Sequence, residues 1–524
     1  MRQDLFRTKS LDSILADAEE PEHQMKRALG PIELIALGIG AIVGAGIFAV
    51  IGSAAAGGAH HDGAGPALVI SILITAIGCG FCALCYAEFA SLVPISGSAY
   101  TYSYATLGEF VAWIIGWDLI IEYAMGNVAV AVSWSGYFCE LLKGFGLTFP
   151  AWASTDLATA LKTEGFMNAA PHLFGIPIVL NIPAAAITLL LTWLLVIGIK
   201  ESARFNTAMV FVKLVILVFF IVVGALYVKP ANWHPFAPNG WRGIGTGAAL
   251  IFFAYIGFDA VSTAAEECRN PQRDMPIGMI GSLAVCTVLY VATSLVLTGM
   301  VSLDRIRGSS EPLAAAFSLL GMNWAAGIVA FGAVIATTAV LLVFQYGQAR
   351  IFFSMARDGL LSPSFAKIHP KYKTPHVTTI WIGIGVAVLS AFANLDVFVE
   401  LTNIGTLFAF ILVCIGIMVL RRRDPDRRRA FRTPLVPLTP ILGILICLYL
   451  IIGIPSLEKT AGGLGFTITR IGGLPWETWV RFAVWLVLGL VIYFLYGHKH
   501  SRLRARGPHP PTGSPAASPP SAER

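Results

Sequence analysis

The chain has 524 residues, with 36 Lys and Arg against 30 Asp and Glu, a formal net charge of +6, and 56% hydrophobic residues. Charged residues make up 13% of it, about half the ~25% usual in soluble domains. This excludes a soluble globular, disordered, collagenous or coiled-coil chain, and the 52 glycines suit a polytopic helical membrane protein, in which glycine lets helices approach closely.

A crossing of ~30 Å of hydrocarbon takes about 20 apolar residues. Twelve segments qualify, at approximately 31–56, 66–92, 99–140, 178–199, 205–228, 245–266, 277–301, 324–355, 376–394, 397–420, 434–455 and 478–496. Residues 1–30 carry no apolar core, so they read as a charged cytoplasmic arm rather than a cleavable signal peptide.

The first span contains Gly38, Gly40, Gly44 and Gly46 within GIGAIVGAGIF. One reading is a small-residue packing face at Gly40 and Gly44; the other is a helix broken inside the membrane. The same glycines echo a dinucleotide fingerprint, but no strand, crossover unit or acid at the right distance accompanies them. In the second span Cys79, Cys82 and Cys85 share a helix face, and packing explains them better than a metal site. The loop before it holds His60, His61 and Asp62, read as a solvated loop rather than a metal site.

The third apolar stretch covers about 40 residues, some 60 Å as one helix, which implies strong tilt or a protruding end. Asp118 and Glu122 lie near its middle, four apart and on one face. Asp118 is expected to bond polar groups of a neighbouring helix; Glu122 is placed either for that or for meeting a cationic side chain. Residues 141–177 follow and contain no cysteine.

The fifth span places Lys213 nine residues into FNTAMVFVKLVILVFF. A lysine at mid-span costs at least about 2.5–3.5 kcal/mol on insertion scales, so something must use it or pair with it. Carbonyls of an opened first span and the hydroxyls of Thr337 and Thr338 are the expected partners. A desolvated amine releases its proton more readily than a solvated one, which makes Lys213 a candidate ion-coupling group. The alternative is a fixed structural cation.

The sixth span has Gly257 in Phe252-Phe253-Ala254-Tyr255-Ile256-Gly257-Phe258-Asp259. It lies five spans after the first, so spans 1–5 and 6–10 form two halves of opposite orientation with an interrupted helix at the same place in each. That arrangement points to a midplane substrate site in a secondary transporter. The amides of Gly44, Ala45 and Gly46 would take a carboxylate. Carbonyls near Ile42, Phe253, Ala254 and Ile256 would take an ammonium, so an amino acid satisfies both. Asp259 could cap the second half-helix or gate the site. Glu88, Glu266 and Glu267 are expected in cytoplasmic ion pairs with Arg269, Arg273 or Arg357.

Basic residues concentrate in the connections on the side of both termini, which places those termini in the cytoplasm. Residues 1–30 form the arm, 31–420 the transport core, 421–433 a basic loop, 434–496 two accessory spans, and 497–524 a disordered tail. The run Arg421, Arg422, Arg423, Arg427, Arg428 and Arg429 reads as a topology anchor on anionic lipid, not a nucleic-acid site. No nucleophile elbow, phosphate loop or zinc spacing occurs, so no enzyme activity, cofactor or metal is expected.

With these residues in place, the chain resembles the cationic amino acid transporter branch of the amino acid-polyamine-organocation superfamily over roughly residues 25–455. The likeness rests on GAGIF at 44–48, SGSAYTYSY at 96–104, GWDLIIEY at 116–123, FFAYIGFDAVSTAAEE at 252–267, RNPQRDMP at 269–276 and GQARIFFSMARDGLL at 347–361. It implies an all-helical LeuT-type fold, a 5+5 inverted repeat plus two helices, in a cell membrane. It also implies substrate contacts at Ile42, Ala45, Gly46, Phe253, Ala254 and Ile256, a span 5 lysine in the ion site at Lys213, and an acid toward basic substrates at Glu122. The expected activity is proton-coupled import of L-amino acids, cationic ones favoured. The alternatives are a small neutral (alanine) symporter, an exchanger and, remotely, an amino acid sensor. A partner subunit joined by disulfide is not expected.

Overall fold

The computed structural model describes residues 7–8, 29–58, 61–92, 98–155, 160, 170–173, 176–197, 203–372, 374–459 and 466–505. Most of the 1–30 arm, His60, residues 96–97 of the SGSAYTYSY motif, the tail beyond 505 and the side chains of Glu266 and Glu267 lie outside the described residues.

Helices dominate. The first span is a bent pair, α1 (Pro31–Ile42) and a second half ending in α2 (Ile51–Ala56), with 46° between the halves. Then come α3 (Leu68–Leu92), α4 (Ser98–Thr106), α5 (Glu109–Gly144), α6 (Ile182–Ile197) and α7 (Ala203–Ala225). They are followed by α8 (Gly240–Ile251), α9 (Pro271–Met300), α10 (Pro312–Leu319), α11 (Asn323–Arg357), α12 (His376–Phe392), α13 (Leu395–Arg423), α14 (Leu438–Ile452) and α15 (Trp476–Ile492). Among the described residues seven helices are long and apolar enough to cross a membrane, or eight with the bent pair, and four shorter apolar helices fall at the positions of spans 4, 5, 9 and 11. Two small antiparallel hairpins, His172–Leu173 with Ile176–Pro177 and Ile454–Lys459 with Phe466–Ile471, sit in connections.

Local chemistry sets the ends. Pro31 opens α1 without giving up a useful donor, and the Glu33 carboxylate accepts the Gly30 N–H at 3.0 Å. The third stretch is not one helix of 40 residues: Gly108, at φ +97°, ends α4 and starts α5. Glycine alone takes that conformation cheaply, so the expected protrusion becomes a separate short helix. The 36-residue α5 then packs along α11 and α13, α9 crosses α1 and α3, and α7 lies against α1, α9 and α11. The outer faces of α6, α12 and α15 expose Trp193, Trp381 and Val484, the pattern of helices bathed in lipid rather than water.

Candidate functional site

Helix α1 stops where Val43 turns extended (φ −77°, ψ 99°) after its N–H has bonded Ile39 O. The chain resumes through a wide turn over Gly46–Val50 before α2. In the sixth span α8 tightens into a 3₁₀ turn over Phe252–Tyr255, Ile256 is extended, and Gly257 takes φ +119°. The Asp259 carboxylate accepts the Gly257 N–H at 3.2 Å, so it braces the break itself.

The two breaks interlock. A Cβ on Gly46 would stand 2.3 Å from Ala254 Cα, and one on Gly257 would stand 2.8 Å from the Ala41 carbonyl. Neither position tolerates a side chain, because the obstacle in each case is backbone. This close approach is the packing that glycine permits, and here it serves the break rather than replacing it. Tyr290 of α9 joins the two from the side: its hydroxyl lies 3.1 Å from Ile42 O and 2.8 Å from Ala254 O. Its one proton is thus shared between carbonyls freed by both breaks. Sequence reasoning missed Tyr290, because a tyrosine in an apolar helix carries no signal beyond packing.

Lys213 is fully buried on α7 and donates to Gly40 O at 2.7 Å and Val43 O at 3.0 Å. Those carbonyls lack helical partners because α1 ends there. The expected hydroxyl partners are not used: Thr337 Oγ1 donates back to Ala333 O at 2.6 Å, and Thr338 Oγ1 to Val334 O at 2.6 Å. A helical threonine finds its own carbonyl one turn earlier more cheaply than a distant amine.

Asp118 and Glu122 are both buried on one face of α5, toward α13, where Gly405 sits against Asp118. Both Asp118 oxygens and Glu122 Oε2 lack a hydrogen-bond partner among the described residues. The expected bond from Asp118 to a neighbouring helix is therefore absent, since the residue facing it, Gly405, has no side chain. Glu122 and Asp259 are close enough to feel each other's charge. Gln348 bonds Ile120 O at 3.1 Å yet leaves its own amide oxygen unpaired, as do Gln345 and Asn403. A buried polar group without a partner costs about 1–3 kcal/mol, and each of these atoms stands without one among the described residues.

Other expectations change. Glu88 meets neither Arg269, Arg273 nor Arg357. Its two oxygens take Arg421 Nε and Nη2, each at 2.8 Å, with Arg429 Nε at 3.1 Å. The loop after α13 folds back over α3, which sequence spacing does not disclose. His61 is not solvated: its side chain is 4% exposed and stands 3.3 Å from Ser53 Oγ and 3.6 Å from Asp396. The cysteines of α3 are packing groups, with Cys82 Sγ 3.6 Å from Cys447 Sγ and 3.9 Å from Cys414 Sγ. No cluster suited to a metal occurs among the described residues.

The amino acid permease family profile matches residues 29–492, both breaks included. The chain belongs to that family. Within it, this permease stands in the amino acid-polyamine-organocation superfamily and its cationic amino acid transporter branch. It is 47% identical to the branched-chain amino acid permease BcaP of Bacillus subtilis (strain 168), over 96% of the permease and 100% of that relative. It is 44% identical to the methylthioribose transporter of the same organism, over 95% and 99%. It is 37% identical to the vacuolar cationic amino acid transporter 4 of Arabidopsis thaliana, over 80% and 68%. The permease is thus an integral membrane amino acid transport protein, not an enzyme.

Proposed function

We propose that this permease is a secondary active transporter that imports L-amino acids by alternating access, with protons as the driving ion and Lys213 as the coupling group. The observation that carries the reading is the amine of Lys213 bonded to two carbonyls at the break of the first span, the place where a cation would otherwise be held. The reading extends to twelve spans in a 5+5 inverted repeat plus two, and to a plasma membrane location with both termini in the cytoplasm. The amides of Gly44, Ala45 and Gly46 receive the substrate carboxylate. The carbonyls of Ile42, Phe253, Ala254 and Ile256 receive its ammonium, Tyr290 giving way at two of them.

For the side chain, the Asp118 carboxylate and Glu122 Oε2, without hydrogen-bond partners among the described residues, favour a cationic amino acid, whose charge would satisfy them. A second reading is favoured by the 47% identity to a branched-chain permease: an apolar side chain, with Glu122 serving the protein's own polar network. Purified protein in sealed vesicles tests both. Labelled arginine or leucine should accumulate when the outside is acidic; accumulation that ignores a pH gradient and follows sodium overturns the proton assignment.

A further inference from the structure

The basic run after α13 is divided by the fold into spent and unspent charges. Arg421 and Arg429 hold Glu88, the Thr433 N–H bonds Glu88 Oε2 at 2.8 Å, and Arg429 also donates to the carbonyls of Asp424, Pro425 and Arg427. The segment between Arg429 and Thr433 is therefore clamped at both ends. Its Ala430 and Phe431 form one wall of a groove of about 640 Å³, whose other wall is the first three turns of α9, with Gln272, Arg273, Pro276, Ile277 and Ile280.

The groove has two chemistries in order. Arg273, one of its lining residues, is exposed with no acid partner among the described residues, and Arg428 and Arg432 are likewise exposed and unpaired beside the clamped wall. Apart from Gln272 the rest of the lining is apolar, and the exposed face of α9 continues it through Ala284 and Val288. A guanidinium beside an apolar track, facing a wall clamped at both ends, matches a head-group phosphate beside a hydrocarbon chain.

We propose that this groove binds one anionic phospholipid of the cytoplasmic leaflet, its phosphate on Arg273 and an acyl chain against Ile277, Ile280 and Phe431. The assignment rests on the cytoplasmic placement of the loop given above but not on the transport mechanism. Native mass spectrometry of the full chain in mild detergent, supplied with phosphatidylglycerol or phosphatidylcholine, tests it without any transport reading. One phosphatidylglycerol per chain should be retained in preference to phosphatidylcholine. Arg273→Gln should weaken that retention roughly fivefold, the pull of one arginine on an anionic head group. Ala430→Glu, a surface change that sets a carboxylate opposite Arg273, should weaken it at least as much, and Arg273→Lys should keep most of it. Equal retention of both lipids, or retention unchanged in the Gln and Glu variants, overturns the proposal.

Discussion

Lys213 Nζ donates to Gly40 O at 2.7 Å across 173 residues of chain, so the amine that the bilayer should penalise most is held by a carbonyl freed where the first span ends. Each feature accounts for the other. An unpaired carbonyl and an unpaired ammonium are both costly in a low dielectric, and together they make a charge-assisted bond.

Replacing Lys213 by Met keeps the volume of the side chain and removes the proposed proton carrier. Accumulation of labelled amino acid under a pH gradient should fall to background, while counterflow in equal solutions on both sides persists. Loss of counterflow as well would mean that the amine holds the site together rather than couples it.

Tyr290→Phe should leave the fold intact and strip the shared proton from Ile42 O and Ala254 O. With two buried carbonyls losing a donor, a destabilisation of about 1–3 kcal/mol is expected. It reads out as a lower unfolding temperature in detergent, and added substrate should recover part of it by supplying its own ammonium.

Glu122→Gln separates the two substrate readings. Under the cationic reading arginine binding should drop by about tenfold or more, the cost of losing one charge-assisted bond, with leucine binding unchanged. A thermal-shift panel of arginine, lysine, alanine and leucine measures it; undiminished arginine binding assigns Glu122 to the internal network.

His61 supplies a pH dependence of stability. Burial works against its charged form, but the hydrogen bond and charge of Asp396, with Glu400 and the Asp62 backbone adding to them, outweigh it and leave the pKa above the usual imidazole value. Ser53 bonds Asp396 at 2.7 Å, Thr478 bonds Glu400 at 2.7 Å, and Arg242 holds Asp62 at 3.0 Å, so these neighbours are fixed. Because the folded protein binds the proton more tightly than the unfolded chain, the stabilisation is complete below about pH 6.5 and is lost as pH rises through the elevated value. Unfolding temperature measured against pH should show this loss in the parent and a flatter curve in His61→Gln.

Much of the site was legible before folding. The glycines around Gly44 and Gly257 pointed to both breaks, because they recur five spans apart, one of them beside the acid Asp259. Lys213 declared itself by its cost. What stayed hidden were the partners: Tyr290 for two freed carbonyls, Arg421 and Arg429 for Glu88, Asp396 for His61, and, among the described residues, none for Asp118.

The sequence by itself determined which segments are apolar and long, where helix geometry fails, and which charges lie too deep for water, since hydropathy and backbone preference are properties of neighbouring residues. Tertiary structure alone decided which polar atom meets which. That depends on the rotation and depth of helices far apart in the chain, as where α13 sets Gly405, with no side chain, against the buried Asp118 carboxylate.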